Sequence, residues 1–384
     1  MSTTQTAQTT DAFKPGLEGV IAAETRLSSV DGQKGELIIA GFPLEELAAH
    51  ATFEETAYLL WYDHLPTAAE LERFRAELAG YRALPAATLT LLEQVAQVRR
   101  PAMDALRIAA GAMDLDARDL DDHGLARLAL ARIPTIVAAY WRLLHGQAPV
   151  EPDPELGHAA NYLYMLEGAR PTPAKVRGLE TYLNTVSDHG LNASTFAARV
   201  IIATQSDLVS ALVGAIGALK GPLHGGAPGP ALDMVFEIGD VSRAESYLRE
   251  KLERGERLMG FGHRVYKVRD PRAEVLARAA EVMYRDGGDM ALYNLAREVE
   301  KIAVALLAEY KPGRNLQTNV EFYTALLLHG LGLDTDLFTP TFAVGRTAGW
   351  IGHCFEQRAT GRLIRPDSRY IGERNRRWVP LEQR

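Results

Sequence analysis

Apolar positions along this chain recur mostly at helical spacing. Leu71, Phe74 and Leu78 step by three or four, as do Leu292, Leu295, Val299, Ile302 and Leu306, each set predicting a core-facing stripe. Thr52-x-x-Glu55 and Thr67-x-x-Glu70 are capping boxes. In each, a hydroxyl and a carboxylate satisfy amides that the first helical turn leaves without partners. Ser242-x-x-Glu245 predicts a further helix start, with Gly255 closing that helix. Asp270-Pro271 supplies an N-cap followed by proline in the first turn. The segment from Gly19 to Gly41 is different. Val20 to Leu27 and Glu36 to Ile39 flank Asp31-Gly32-Gln33-Lys34-Gly35, and Asp-Gly between β-formers predicts a hairpin. No strand–helix alternation follows, which excludes a doubly wound sheet, and no regular repeat of about 20–50 residues suggests a solenoid. The pattern predicts a mainly α fold with a small N-terminal β-hairpin.

The most apolar stretches run from Leu128 to Trp141 and from Val200 to Leu219. Arg132 and Pro134 interrupt the first, and Gln205 and Asp207 the second, so both are buried core helices rather than membrane spans. With 384 residues, the chain has room for two or three domains at roughly 150 residues each. A 47% hydrophobic and 24% charged composition is that of a globular protein. Lys+Arg 42 against Asp+Glu 49 leaves −7, which argues against a nucleic-acid partner. The single cysteine, Cys354, cannot pair within the chain and fits a reducing, cytoplasmic setting. The first dozen residues lack the apolar stretch of a targeting signal and read as a frayed tail.

Candidate chemistry centres on histidine. Phosphate-binding loops, dinucleotide fingerprints, H-E-x-x-H, C-x-x-C and G-x-S-x-G are all absent from the sequence. Of ten histidines, His50, His64, His123, His145, His158 and His329 occupy ordinary contexts, and His353 reads as a core residue. Three stand out. His224 lies in Gly221-Pro222-Leu223-His224-Gly225-Gly226-Ala227, where glycines would let a ligand approach the backbone; it is equally readable as a plain turn residue. His263 lies in Gly260-Phe261-Gly262-His263-Arg264-Val265-Tyr266-Lys267, near Asp270-Pro271-Arg272: either an anion site or a solvated basic loop. His189 lies in Ser187-Asp188-His189-Gly190-Leu191-Asn192-Ala193-Ser194, which by itself reads as a cap opening a helix from Thr195.

Taken together these segments resemble the citrate synthase family, over roughly Gly16 to Gly372. Gly16-Leu17-Glu18-Gly19-Val20 is similar to the family's opening signature. The His224 and His263 motifs, Asn319-Val320-Glu321-Phe322-Tyr323, Ala343-Val344-Gly345-Arg346-Thr347-Ala348-Gly349-Trp350-Ile351 and Arg365-Pro366 follow in the family's order. Any one is weak; the ordered set is specific.

The resemblance implies a two-domain helical enzyme that condenses acetyl-CoA with oxaloacetate and hydrolyses the thioester, with no metal or cofactor. It implies Glu321 as the base for the methyl proton, His224 as donor to the thioester oxygen, and His263 as the group polarising the ketone. It further implies His189, Arg272 and Arg346 as ligands of the oxaloacetate carboxylates, Arg365 completing the neighbouring site of a homodimer, and Lys267 meeting CoA phosphates. Residues 1–224 and 333–384 would form the large domain, and 225–332 a small domain that closes over substrate. Two other readings go with it: a 2-methylcitrate synthase using propionyl-CoA, and a non-catalytic paralogue binding dicarboxylate or CoA. The chain departs from the family at Glu321, where Asp is usual, at Pro228-Gly229, where Asn-Glu is common, and at Val186, where a histidine often stands.

Overall fold

The computed structural model describes residues 13–225, 228–263, 266–287 and 289–384. The expected frayed tail, and Gly226, Ala227, Arg264 and Val265 of the histidine motifs, lie outside the described residues. The strands β1 (Ser28–Asp31), β2 (Glu36–Ile39) and β3 (Phe42–Pro43) form one antiparallel sheet in the order β1-β2-β3. Helices then follow almost without interruption: α1 (Leu44–His50), α2 (Phe53–Tyr62), α3 (Ala68–Tyr81), α4 (Ala86–Gln97), α5 (Ala102–Ala110), α6 (Asp122–Leu144), α7 (His158–Glu167) and α8 (Pro173–Val186). The second half adds α9 (Ala193–Ile202), α10 (Leu208–Leu219), α11 (Pro228–Ile238), α12 (Val241–Glu253), α13 (Pro271–Gly287), α14 (Met290–Tyr310), α15 (Val320–Gly330) and α16 (Phe338–Thr360).

The mainly helical class is therefore as the pattern predicts, and both capping boxes form as read. Thr52 and Glu55 exchange side-chain and backbone bonds at the start of α2, and Thr67 and Glu70 do so at α3. Other boundaries shift. The hairpin begins only at Ser28, with Ser28 opposite Ile39 and Asp31 opposite Glu36. Residues 20–27 form no strand: the Arg26 N–H donates to Glu356 Oε1 at 2.9 Å and the Leu27 N–H to Thr25 Oγ1 at 3.1 Å, leaving only the Leu27 carbonyl to accept from the Ala40 amide across the hairpin. Asp240 rather than Ser242 caps α12, since its carboxylate accepts from the Ser242 amide at 2.8 Å. The His189 segment opens a helix as expected, but Asn192 is the cap and the helix starts at Ala193. Along α14, Val299 and Leu306 are buried. Leu292, Leu295 and Ile302 are only half-buried, because the seam centres on Tyr293, Ala296, Ala303 and Leu307.

The two apolar stretches are core helices. Arg132 is buried within α6, its guanidinium satisfied by Asp116 and by the Tyr81 carbonyl. The second stretch splits into α9 and α10 where Asp207 caps the latter. No described helix is long and apolar enough to cross a membrane. Helix α16 runs through the core against α2, α6, α8, α9 and α10. Helices α11 to α15 pack mainly on one another, and α13 joins them to α8 and α1.

Candidate active site

Two glycines on α16 set the site. A Cβ on Gly345 would lie 2.6 Å from Val186 Cγ2, and one on Gly349 would lie 2.1 Å from the Ser187 carbonyl. These residues share one helix face, four positions apart, so α16 lies directly against the end of α8. That contact places Arg346, only 2% exposed, with its Nε donating to the Val186 carbonyl at 2.5 Å. The Arg346 guanidinium lies 4.8 Å from the Phe342 ring. Its two terminal nitrogens have no hydrogen-bond partner among the described residues. Burial pulls its pKa down to about 10, which leaves it charged at neutral pH.

Past the end of α8 the chain turns through Asp188, His189 and Gly190. Asp188 is fully buried, accepting from Ser28 Oγ and contacting His353 Nε2 at 3.1 Å. His353 is a core residue as the sequence suggests, but it is a polar one, its Nδ1 2.8 Å from Arg199 Nη1. His189 Nε2 lies 3.2 Å from the Tyr266 hydroxyl. Burial, with Arg272, Arg346 and His263 nearby, holds His189 well below the usual histidine range, so it is neutral.

The loop carrying His263 is stitched to the strand-like segment before α15. Gly262 N–H donates to the Gln317 carbonyl at 2.7 Å, Asn319 N–H to the Gly260 carbonyl at 2.9 Å, and Asn319 Nδ2 to the Gly262 carbonyl at 2.9 Å. Gly260 is required here: its φ is +85°, and a Cβ would meet Phe322 at 2.9 Å. His263 Nδ1 accepts from the Tyr266 amide at 3.0 Å, so the ring proton sits on Nε2. That nitrogen is 3.4 Å from Arg272 Nη2. Two donors brought this close share a direction, and an oxygen acceptor could take both. Asp270, fully buried, clamps Arg272 through contacts of 3.0 Å to Nε and 2.7 Å to Nη2. Burial, then the Arg272 charge, lowers His263 to about 4.

Glu321 occupies the first turn of α15, with its N–H donating to the Asn319 side-chain oxygen at 3.0 Å. Burial pushes its carboxyl above the ordinary value, and Arg272 partly opposes this. Across the cleft, His224 stands on a tight turn. Its N–H donates to the Gly221 carbonyl at 2.9 Å, and a Cβ on the following Gly225 would come within 2.5 Å of the Leu219 carbonyl. His224 Nε2 lies 2.8 Å from Ser194 Oγ, and that oxygen accepts from Trp350 Nε1 at 3.0 Å. Burial, then Arg346, lowers His224 to about 4.

One cleft of about 740 Å³ gathers His189, His224, His263, Arg272, Glu321 and Arg346. Six of the eight residues singled out by sequence therefore line one space. Lys267 and Arg365 do not. Lys267 is exposed at the loop's edge, and Arg365 lies on the exposed chain after α16. Sequence reasoning did not assign Tyr266, Asp270 or Ser194 a place in the site, although each holds a lining residue. Asp270, two residues before Arg272, and Tyr266, three after His263, lie in the motifs themselves, whereas Ser194 is remote from His224. No group of three or more His, Cys, Asp or Glu among the described residues is placed to hold a metal ion.

A carboxyl group, three imidazoles and two guanidiniums around one space can in principle abstract a proton, donate to two separate oxygens and bind a dianion. Comparisons with known proteins give the family. The chain is 42% identical to the citrate synthase of Haloferax volcanii over 97% of this chain and 99% of that protein. It is 40% identical to a 2-methylcitrate synthase of Mycobacterium tuberculosis, covering 97% and 94%. Its fold matches the crystal structure of citrate synthase from Pyrobaculum aerophilum with a TM-score of 0.88 and 37% identity over 100% of both chains. The family model described as citrate synthase, C-terminal domain, matches residues 16–367. The chain belongs to the citrate synthase family and is an acyltransferase of that type.

Proposed function

We propose that this cleft joins the methyl carbon of acetyl-CoA to the ketone carbon of oxaloacetate, and that water then cleaves the citryl thioester to citrate and CoA. The observation carrying this reading is Arg346: a buried guanidinium with an unpartnered fork, set beside Arg272 and three neutral histidines. Two guanidiniums suit the two carboxylates of a small dianion, because the planar fork matches a carboxylate in bidentate fashion. His189 completes that binding set.

Glu321 takes a methyl proton from acetyl-CoA. His224 donates a hydrogen bond to the thioester oxygen as charge builds on it. The enol carbon then attacks the ketone. His263, with its proton on Nε2, donates toward the ketone oxygen, and Arg272 supports the alkoxide that forms. Hydrolysis breaks the carbon–sulfur bond and releases the thiol. A carboxylate and well-placed donors meet the needs of both steps, so the chemistry calls for no cofactor.

The same reading divides the chain into a large domain, 1–224 with 333–384, and a small one, 225–332, carrying His263, Arg272 and Glu321. Closure of the small domain over oxaloacetate assembles the site before acetyl-CoA reacts. The reading also makes the protein a homodimer. Tyr370, Ile371, Trp378 and Leu381 are exposed on the extended chain after α16, and a second copy would cover them. Arg365, on the same segment, reaches the partner's cleft, and Lys267 meets CoA phosphates at the rim.

Calorimetric titration with oxaloacetate tests the binding set. Arg346→Ala is expected to weaken binding on the order of a hundredfold, as loss of one partner from a buried charge pair does. Arg365→Ala should weaken it about tenfold, although that residue is exposed in its own chain. Unchanged affinity in Arg346→Ala would remove the dicarboxylate assignment.

A further inference from the structure

The β1–β2 hairpin touches the site at both of its ends, yet none of its residues lines the catalytic chemistry. At its base, Ser28 Oγ donates to Asp188 and accepts from the Gly190 amide at 2.7 Å. Those two residues flank His189. Gly190 has a φ of +59°, so the turn that aims the imidazole is tight and is held on both sides by one hydroxyl. At the hairpin tip, the Gly32 carbonyl accepts from the Lys267 amide at 2.8 Å. Gly35 presents bare backbone to the same loop: a Cβ there would lie 2.7 Å from Val268 Cγ2 and 3.2 Å from the Arg269 carbonyl.

The tip is itself pinned. Asp31 Oδ1 accepts from the Gln33 and Lys34 amides, each at 3.0 Å, and Gly35 N–H closes on the Asp31 carbonyl at 2.9 Å. A short two-stranded ribbon braced in this way can transmit position from end to end. The loop it touches continues, within a few residues, to Tyr266 on one side and to Asp270 and Arg272 on the other. Tyr266 donates its amide to His263 and contacts His189 through its hydroxyl.

We propose that the hairpin is a positioning strut, with Ser28 setting the His189 turn and Gly32 and Gly35 seating the loop that aligns His263 and Arg272 opposite it. The proposal rests on the reading of these residues as ligands of oxaloacetate. Ser28 and Gly35 are positioning residues, because neither lines the cleft. The strut joins the His189 turn, in the part of the chain read as the large domain, to a loop in the part read as the small one. It thus sets their separation in the state that grips the dianion.

The test is oxaloacetate affinity of the full-length protein, measured by calorimetry. Ser28→Ala should raise Kd about tenfold, the loss that one to two hydrogen bonds of ordinary strength would give. Ser28→Thr, which keeps the hydroxyl, should stay within about twofold of the parent. Gly35→Ala should raise Kd similarly, and adding Val268→Ala should recover part of the loss by removing the 2.7 Å clash, the 3.2 Å contact with the Arg269 carbonyl remaining. Backbone strain at Gly35 alone would not be relieved by that second change, so the rescue separates contact from strain. Parent-like affinity in both Ser28→Ala and Gly35→Ala overturns the strut. Absence of rescue overturns the tip contact. Failure of the parent protein itself to bind oxaloacetate would instead sink the functional reading beneath it.

Discussion

Glu321 and the three cleft histidines divide the acid–base work by environment. Burial raises the glutamate, while burial and neighbouring guanidiniums lower the histidines. With Glu321 as the proposed base, which must be ionised to act, activity should fall as pH drops through its raised value. His224 and His263, at about 4, are already neutral there and contribute no limb of their own. The acid side of the kcat/KM profile should therefore show a limb from one carboxyl group, displaced upward from the ordinary carboxyl range. Glu321→Gln should lower kcat on the order of a thousandfold while oxaloacetate binding persists. Unchanged kcat in Glu321→Gln would take the base role away from this residue. The sequence showed these groups well, because glycines and cations crowd around them within a few positions. It did not show Ser194 beside His224 or Tyr266 beside His189. Those contacts join residues 30 and 77 positions apart, and only packing brings them together.

At the scale of elements, features that close locally were legible and features that depend on distant partners were not. A capping box spans four residues and needs nothing else, so both appear where the pattern placed them. The hairpin's start was misplaced because the Arg26 and Leu27 amides, just before it, donate to Glu356 on α16 and to Thr25 instead of to a partner strand. Helix α8 carries another such hidden feature. Burial pushes Glu180 up to about 7 despite Arg177 at 3.4 Å, with Glu54, Glu55 and Arg75 also near. A carboxyl raised in the folded state contributes stability that is complete below its unfolded value, near 4.3 by convention and thus ~4.3 here. That contribution is lost as pH rises through about 7. Glu180→Gln should match the parent in unfolding free energy from urea titration near pH ~5 and exceed it near pH ~8, by a few kcal/mol at most. A variant less stable than the parent at the higher pH would show that the Arg177 pairing outweighs the burial cost.

At the scale of the molecule, the Gly and Pro clusters around Gly221–Pro230 and Gly260–Gly262 marked the loops from which the cleft is built. The site combines residues from α13, α15, α16 and three turns, and no single stretch of sequence contains it. Net charge had pointed away from anionic partners, yet the cleft gathers Arg272 and Arg346 with neutral histidines. Bulk charge describes the surface and not a buried pocket. The length of acyl chain accepted is likewise a property of the assembled cleft, since one methylene in a pocket is worth only about 1–3 kcal/mol. The most direct test of the central claim is release of free thiol by the purified protein, with acetyl-CoA and with propionyl-CoA, each with and without oxaloacetate. The account predicts release that depends on oxaloacetate, with a higher kcat/KM for acetyl-CoA. Release no faster than background would contradict the enzyme, and a higher kcat/KM for propionyl-CoA would contradict the assignment of its substrate.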